Sequence, residues 1–196
     1  MASVRSIEPG LLLAAPKLGD PNFEETVVLL GLHDDEDGSL GWTVNGAAIE
    51  TAATIVRATG LVGASEPLPP GFDRPAVRGG PVSPESVWIL YRRASGDAAL
   101  PGSIEVGSEI AVTATAAALQ MLVAGEGPED FHLLVGYAGW APGQLARELA
   151  EGTWLPAAAD ADLLFDAHRD KLWELGYARV LGSVPAAFVT TTRGSA

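Results

Sequence analysis

The side chains that could do chemistry gather in three places along this sequence. The first is His33 with Asp34, Asp35, Glu36 and Asp37, closed by Gly38. A histidine beside carboxylates is the set that acid/base catalysis or a metal ion would use. A calcium loop, however, needs the pattern D-x-[DN]-x-[DN]-G and a closing glutamate. Asp35-x-Asp37-Gly38 is too short for it, and no glutamate stands at the closing position. The run reads as the solvated tip of a hairpin ending in Asp-Gly. The second place is His132, inside the apolar run Phe131–Tyr137. The third is Gly136–Leu145, GYAGWAPGQL, which holds three glycines, a proline and two aromatics.

A glycine-rich turn between strand and helix can hold an anion on bare N–H groups. The spacing Gly136-x-x-Gly139-x-x-x-Gly143 matches neither the dinucleotide nor the P-loop fingerprint, and no lysine lies near. Glycines that allow close backbone approach, with Tyr137 and Trp140 packing, explain the stretch without a ligand. The nucleophile motif G-x-S-x-G is absent, and the three histidines share no ligand spacing. With no cysteine, disulfides, thiolate zinc sites and cysteine nucleophiles are excluded. No catalytic residue, metal ligand or cofactor is therefore assigned. Glu148 and Glu151, three apart on one helix, read as solvated.

Net charge is −13, from 12 Lys+Arg against 25 Asp+Glu. Such a field repels phosphate backbones and anionic lipid. The densest basic spots are Arg92-Arg93 and Arg169 with Lys171. Nucleic acid is not an expected partner. The early apolar run Leu11–Ala15 is shorter than the core of a signal peptide, and no stretch reaches the ~20 residues of a membrane span. A soluble, cytoplasmic chain is expected.

These groups must be positioned by strands and helices. Leu11–Ala15, Thr26–Leu32 and Leu40–Val44 read as strands, the last two forming a hairpin across the acidic tip. Thr51 caps a helix to about Thr59, and Gly60 stops it. Leu61–Pro75 holds four prolines and two glycines, which makes it a long loop and the best linker candidate. Val77–Val82 reads as a tight turn or a strand entry and Ser86–Tyr91 as a strand. Ile104–Val106 and Ile110–Thr113 make a second hairpin around Gly107-Ser108. Thr115 caps a helix over Ala116–Ala124. After the strand Phe131–Tyr137 the glycine-rich stretch is a loop, and Pro142 sits in the first turn of a helix ending near Gly152. Leu163–Phe165 reads as a short strand. Asp166 or Asp170 then caps a final helix carrying Leu172, Trp173 and Tyr177. Residues 1–196 read as one domain with a flexible tail over 183–196. Hairpins and helices interleave without a steady βαβ repeat, which predicts an α+β fold.

Several of these pieces, in this order, resemble the AlgH/YqgE family of bacterial proteins. They are Leu11-Leu-Leu-Ala-Ala-Pro16, Leu18-x-Asp20-x-x-Phe23, Val27-Val28 and His33. Asp37-Gly38, Leu40-Gly41-x-x-Val44-Asn45 and Gly79-Gly80-Pro81-Val82 follow. The pattern closes with Gly136–Trp140, Pro142–Leu145, Trp154, Phe165-Asp166 and Trp173. The resemblance spans about residues 8–176. It implies a mostly antiparallel sheet folded into a pseudo-barrel with flanking helices, and a role in regulating transcription. It supplies no catalytic residues. The chain departs from the pattern where the family often has Cys-Glu before the histidine, at Leu30–Leu32. It departs again at Gly46-Ala47, at Tyr91 and at Ala146, where basic, histidine and acidic residues are common. Structural positions are kept while reactive ones are lost, which favours binding over catalysis.

The expected binding surface joins Asn45, Gly79 and Gly80 to Tyr137, Trp140 and Gln144. The amides would supply donors and acceptors, and the aromatics apolar faces, for an unknown small ligand or protein partner. Two alternatives stand beside it. One is an enzyme on a small polar molecule, using His33 or His132. The other is a direct DNA-binding regulator.

Overall fold

The computed structural model describes residues 7–16, 25–94, 96 and 98–182. Strands β1 (Gly10–Ala14) and β2 (Val27–Asp34) are continuous apolar runs, as expected for strands covered on both faces. Alternate residues feed different cores. Leu11, Leu13, Val27 and Leu29 enter one cluster with Trp42, whereas Leu12, Ala14, Val28 and Leu30 enter another with Trp140. This two-sided burial is what makes the runs read without a period.

A hairpin turn joins β2 to β3 (Gly38–Thr43), with His33 facing Ser39 across the pair. The sheet continues through β9 (Phe131–Trp140), β6 (Val82–Arg92), β8 (Ile110–Thr113) and β7 (Ile104–Val106). At its other end β10 (Trp154–Ala157) pairs with β1. Two short strands branch off this path: β5 (Pro75–Arg78) runs parallel to β9, and β4 (Ala48–Thr51) pairs with β5. The other pairings are antiparallel, and the sheet curls into a half-barrel. The curl brings Ile104 of β7 over Gly31 of β2. A Cβ at Gly31 would sit 2.5 Å from the Trp42 ring and 3.4 Å from Ile104, so the close approach requires glycine.

Among the described residues five helices flank the sheet. Helices α1 (Ala52–Ala58) and α2 (Ala116–Val123) bury Val56, Ala118, Leu119 and Leu122 in a core with Ile89 and Leu133. The Thr51 hydroxyl accepts from Thr54 N and the Thr115 hydroxyl from Ala118 N, each at 3.2 Å. The proline-rich loop is packed here too: Val62 and Phe72 are buried, with Phe72 5.1 Å from Phe131. Helices α4 (Ala161–Asp166) and α5 (Leu172–Leu181) cover the first core. Trp173 Nε1 and the Tyr177 hydroxyl both donate to the Ala14 carbonyl, at 2.8 and 3.0 Å. Helix α3 (Gln144–Ala150) covers the remaining cluster.

The observed α+β half-barrel agrees with the expected fold class, while several elements differ from expectation. Residues 138–140 extend β9 because Ser39–Gly41 offers them a partner strand that local composition does not reveal. Pro142 lies before α3, whose N-cap is Gly143, because the Gln144 side chain accepts from Ala141 N and closes the entry turn first. Leu163–Phe165 belongs to α4, since Asp160 accepts from Leu163 N at 2.8 Å and caps a helix there. Three apolar residues are too few to distinguish the two states. Asp166 ends α4 and Asp170 lies in a 3-10 turn, so neither caps α5, which starts after Lys171. Pro75–Arg78 is a strand, and β4 and β10 have no counterpart in the sequence reading. The tail over 183–196 lies outside the described residues.

Candidate functional site

The three segments of the expected surface meet. Thr43 N donates to Gly79 O, and Gly79 N to Val135 O, both at 2.8 Å. Gly136 has φ +73°, and a Cβ there would lie 2.5 Å from Gly80 O. In the other direction a Cβ on Gly80 would lie 2.1 Å from the Tyr137 carbonyl carbon. The glycines therefore let two backbones cross. Asn45 is engaged within the fold. Its Oδ1 accepts from Val27 N at 2.8 Å and its Nδ2 donates to Glu25 O at 2.7 Å. Glu25 has a positive φ of 53°, so Asn45 holds the left-handed entry into β2. Tyr137 packs edge-on against Trp88, 6.1 Å between rings, and Trp88 against Trp42 at 4.9 Å.

Trp140 and Gln144 converge on a residue that sequence reasoning assigned to solvent. The Glu148 carboxylate accepts from Trp140 Nε1, Trp154 Nε1 and Gln144 Nε2, each at 2.8 Å. The two indoles meet edge-on with centroids 6.1 Å apart. Charge-assisted bonds of this kind are the stronger sort, and they tie β9, β10 and α3 together. The spacing of Gln144 and Glu148, four apart on one helix face, was the available signal.

Beyond this cluster α3 forms one wall of a cleft of about 1020 Å³. Leu12, Ala146, Leu149 and Pro156 give it an apolar lining, and His33, Asp34 and Asp35 enter from the β2–β3 tip. His33 has a side chain only 10% exposed. Its Nδ1 lies 2.7 Å from Ser39 Oγ, and its Nε2 lies 3.4 Å from Asp35 Oδ1. Asp34 Oδ1 accepts from Asp37 N and Glu36 N, which holds its carboxyl below the usual carboxylate range. The histidine the sequence placed at a hairpin tip is thus also a cleft residue. Its cross-strand neighbour Ser39, six positions on, escaped notice.

His132 stands elsewhere. Its ring stacks on Phe165, 5.5 Å between centroids and 6° between planes. Burial pushes its basicity below the ordinary histidine range, and the charge of Arg74 adds to this. Arg92 lies over the same Phe165 ring at 5.4 Å and is ringed by Asp130, Asp162 and Asp166 at 3.4, 2.9 and 2.9 Å. Asp162 and Asp166 raise its basicity, the Asp162 hydrogen bond most of all. Among the described residues no three His, Asp or Glu side chains group as metal ligands, and no helix is long and apolar enough to cross a membrane.

A curled, mostly antiparallel half-barrel, flanked among the described residues by five helices and with an aromatic bend that anchors α3, defines an α+β domain. The sequence model of the family described as AlgH-like matches residues 11–184. The chain belongs to that family. A UPF0301 protein of Anaeromyxobacter dehalogenans strain 2CP-1 is 39% identical over 193 residues, covering 96% of this chain and 95% of its own. A UPF0301 protein of Xanthomonas campestris pv. campestris strain B100 is 35% identical over 170 residues, or 87% of each chain. The solution structure of the AlgH protein from Pseudomonas aeruginosa superposes with a TM-score of 0.72 at 29% identity, covering 100% of this chain and 99% of that one. A Corynebacterium diphtheriae crystal structure shares the fold, with TM-score 0.70 at 22% identity over 93% and 90% of the two chains.

Proposed function

We propose that this chain is a non-catalytic regulator that acts by binding a ligand in the cleft between α3, β10 and the β2–β3 tip. The observation that carries the reading is the cleft itself: about 1020 Å³, apolar walls and a few polar groups at one end. That is the make-up of small-molecule sites generally. The aromatic bend supports it from behind. Trp140, Leu12 and Trp154 pack in one cluster whose margin, Ile7 and Leu149, is also cleft surface. On this reading Trp140, Gln144 and Glu148 are positioning residues, and the ligand meets the far side of α3. Asn45, Gly79 and Gly80 serve the frame that sets β2 and β9. The test is a ligand-observed NMR fragment screen against the native chain and Ala146→Trp, which fills the cleft from an exposed helix position. Hits lost in the variant support the site; hits indifferent to it refute it.

One observation favours a second reading. Ser39, His33 and Asp35 form a chain of polar contacts at the cleft, which would let His33 act as an acid/base group. It predicts fluorophosphonate labelling at Ser39 that His33→Asn abolishes, and absence of labelling refutes it. DNA binding finds less support. Arg92 is engaged by three carboxylates, Arg93 by Glu105 at 2.5 Å and Lys171 by Glu174 at 2.8 Å. Three of the four cations at the densest basic spots are thus engaged by carboxylates, which leaves Arg169 to displace counterions there.

A further inference from the structure

Apart from His33, whose Nε2 lies 3.4 Å from Asp35 Oδ1, the titratable side chains that line the cleft are carboxylates. Glu8 precedes β1, and Asp34 and Asp35 stand at the β2–β3 tip. Among the described residues none that lines the cleft is lysine or arginine. Opposite them in chemical character are Leu12, Leu149, Ala146 and Pro156. Three carboxylates over apolar walls repel anions and leave a neutral ligand without charge complement. The Asp34 oxygen bonded by two backbone amides is fixed by the turn, so its charge is held at one place on the rim.

Resting on the binding reading above, we infer that the cleft takes a small organic cation, an ammonium group on an apolar body. The body lies along Leu12, Leu149 and Pro156, and the ammonium sits among Asp34, Asp35 and Glu8. The apolar part supplies most of the affinity, and the carboxylates select the charge. Both features are needed: apolar walls alone admit any hydrophobe, and a solvated acidic tip alone holds a cation weakly. The acidity of the whole chain, −13, adds a long-range pull in the same direction.

Matched probes separate charge from shape: phenethylamine, phenethyl alcohol and hydrocinnamate, with hexylamine, hexanol and hexanoate as an aliphatic set. Calorimetry at low salt is expected to give amines binding about tenfold tighter than their alcohols, with carboxylates weakest. Added salt should erase most of that preference. The double variant Asp34→Asn, Asp35→Asn should remove it while leaving the alcohols unchanged. Asparagine keeps the Oδ1 acceptor that closes the turn, so folding is spared. Ala146→Trp should abolish binding of every probe. Alcohols or carboxylates binding as tightly as amines, with loss in Ala146→Trp, would overturn the cation inference and leave the cleft intact as a site. Binding of no probe at all, or binding that Ala146→Trp does not touch, would overturn both.

Discussion

Replacing Glu148 with alanine tests how the aromatic bend holds α3. The substitution removes one carboxylate that accepts from three donors: Trp140 Nε1, Trp154 Nε1 and Gln144 Nε2, all at 2.8 Å. A hydrogen bond to a charged group is worth about 1.5–3 kcal/mol, so three give an upper bound of about 5–9 kcal/mol. Two effects lower it. Glu148 is half-buried, so water can reach part of the vacated space. The bonds also share one acceptor and are not additive. We expect a loss of about 2–4 kcal/mol, which for a chain of this length lowers Tm by roughly 5–15 °C. Urea unfolding followed by tryptophan emission measures it directly, since Trp140 and Trp154 both lose this acceptor. Glu151→Ala, one turn on and exposed, is the control and should stay within about 0.5 kcal/mol. Glu148→Gln should fall between, because its amide points a donor at donors. A cost below about 0.5 kcal/mol for Glu148→Ala would refute the claim that this carboxylate anchors α3.

Three further outcomes follow from the same geometry. Trp140→Ala removes a side chain only 7% exposed and should cost about 3–5 kcal/mol by chemical denaturation; a near-neutral result would make Trp140 a ligand platform instead. Gly136→Ala meets a positive φ and a carbonyl at 2.5 Å, so it should cost more than about 2 kcal/mol and lower soluble yield. His132 is held below its unfolded proton affinity, so the unfolded chain binds the proton more readily. Its contribution is therefore complete above the unfolded value of about pH 6.5 and is lost as pH falls from there through the depressed folded value. His132→Phe, which keeps the ring stack on Phe165, should flatten the slope of stability below about pH 6.5; an unchanged slope would refute it.

Much of the frame is legible in the sequence because its signals are local. Thr51 and Thr115 cap helices as their spacing implies, and the hairpin Ile104–Val106 with Ile110–Thr113 falls where its turn residues place it. What escapes is non-local. The strand character of Ala138–Trp140 depends on Ser39–Gly41, about a hundred residues earlier in the chain. Strand β10 contains Pro156 and is short, so only its pairing with β1 defines it. The residues of GYAGWAPGQL draw attention as a ligand cradle, yet Gln144 and Trp140 turn inward to Glu148, whose local mark is only its spacing of four from Gln144. The cleft is assembled from five separated stretches, and composition carries no trace of their meeting.

Amide chemical-shift mapping of the isotope-labelled chain, titrated with phenethylamine, tests the binding account most directly. The account predicts shifts concentrated at His33–Asp35, Ala146–Ala150 and Pro156–Ala159, with Asn45 and Gly79–Gly80 unmoved. Shifts centred on Asn45, Gly79 and Tyr137, or none up to saturating amine, would contradict it.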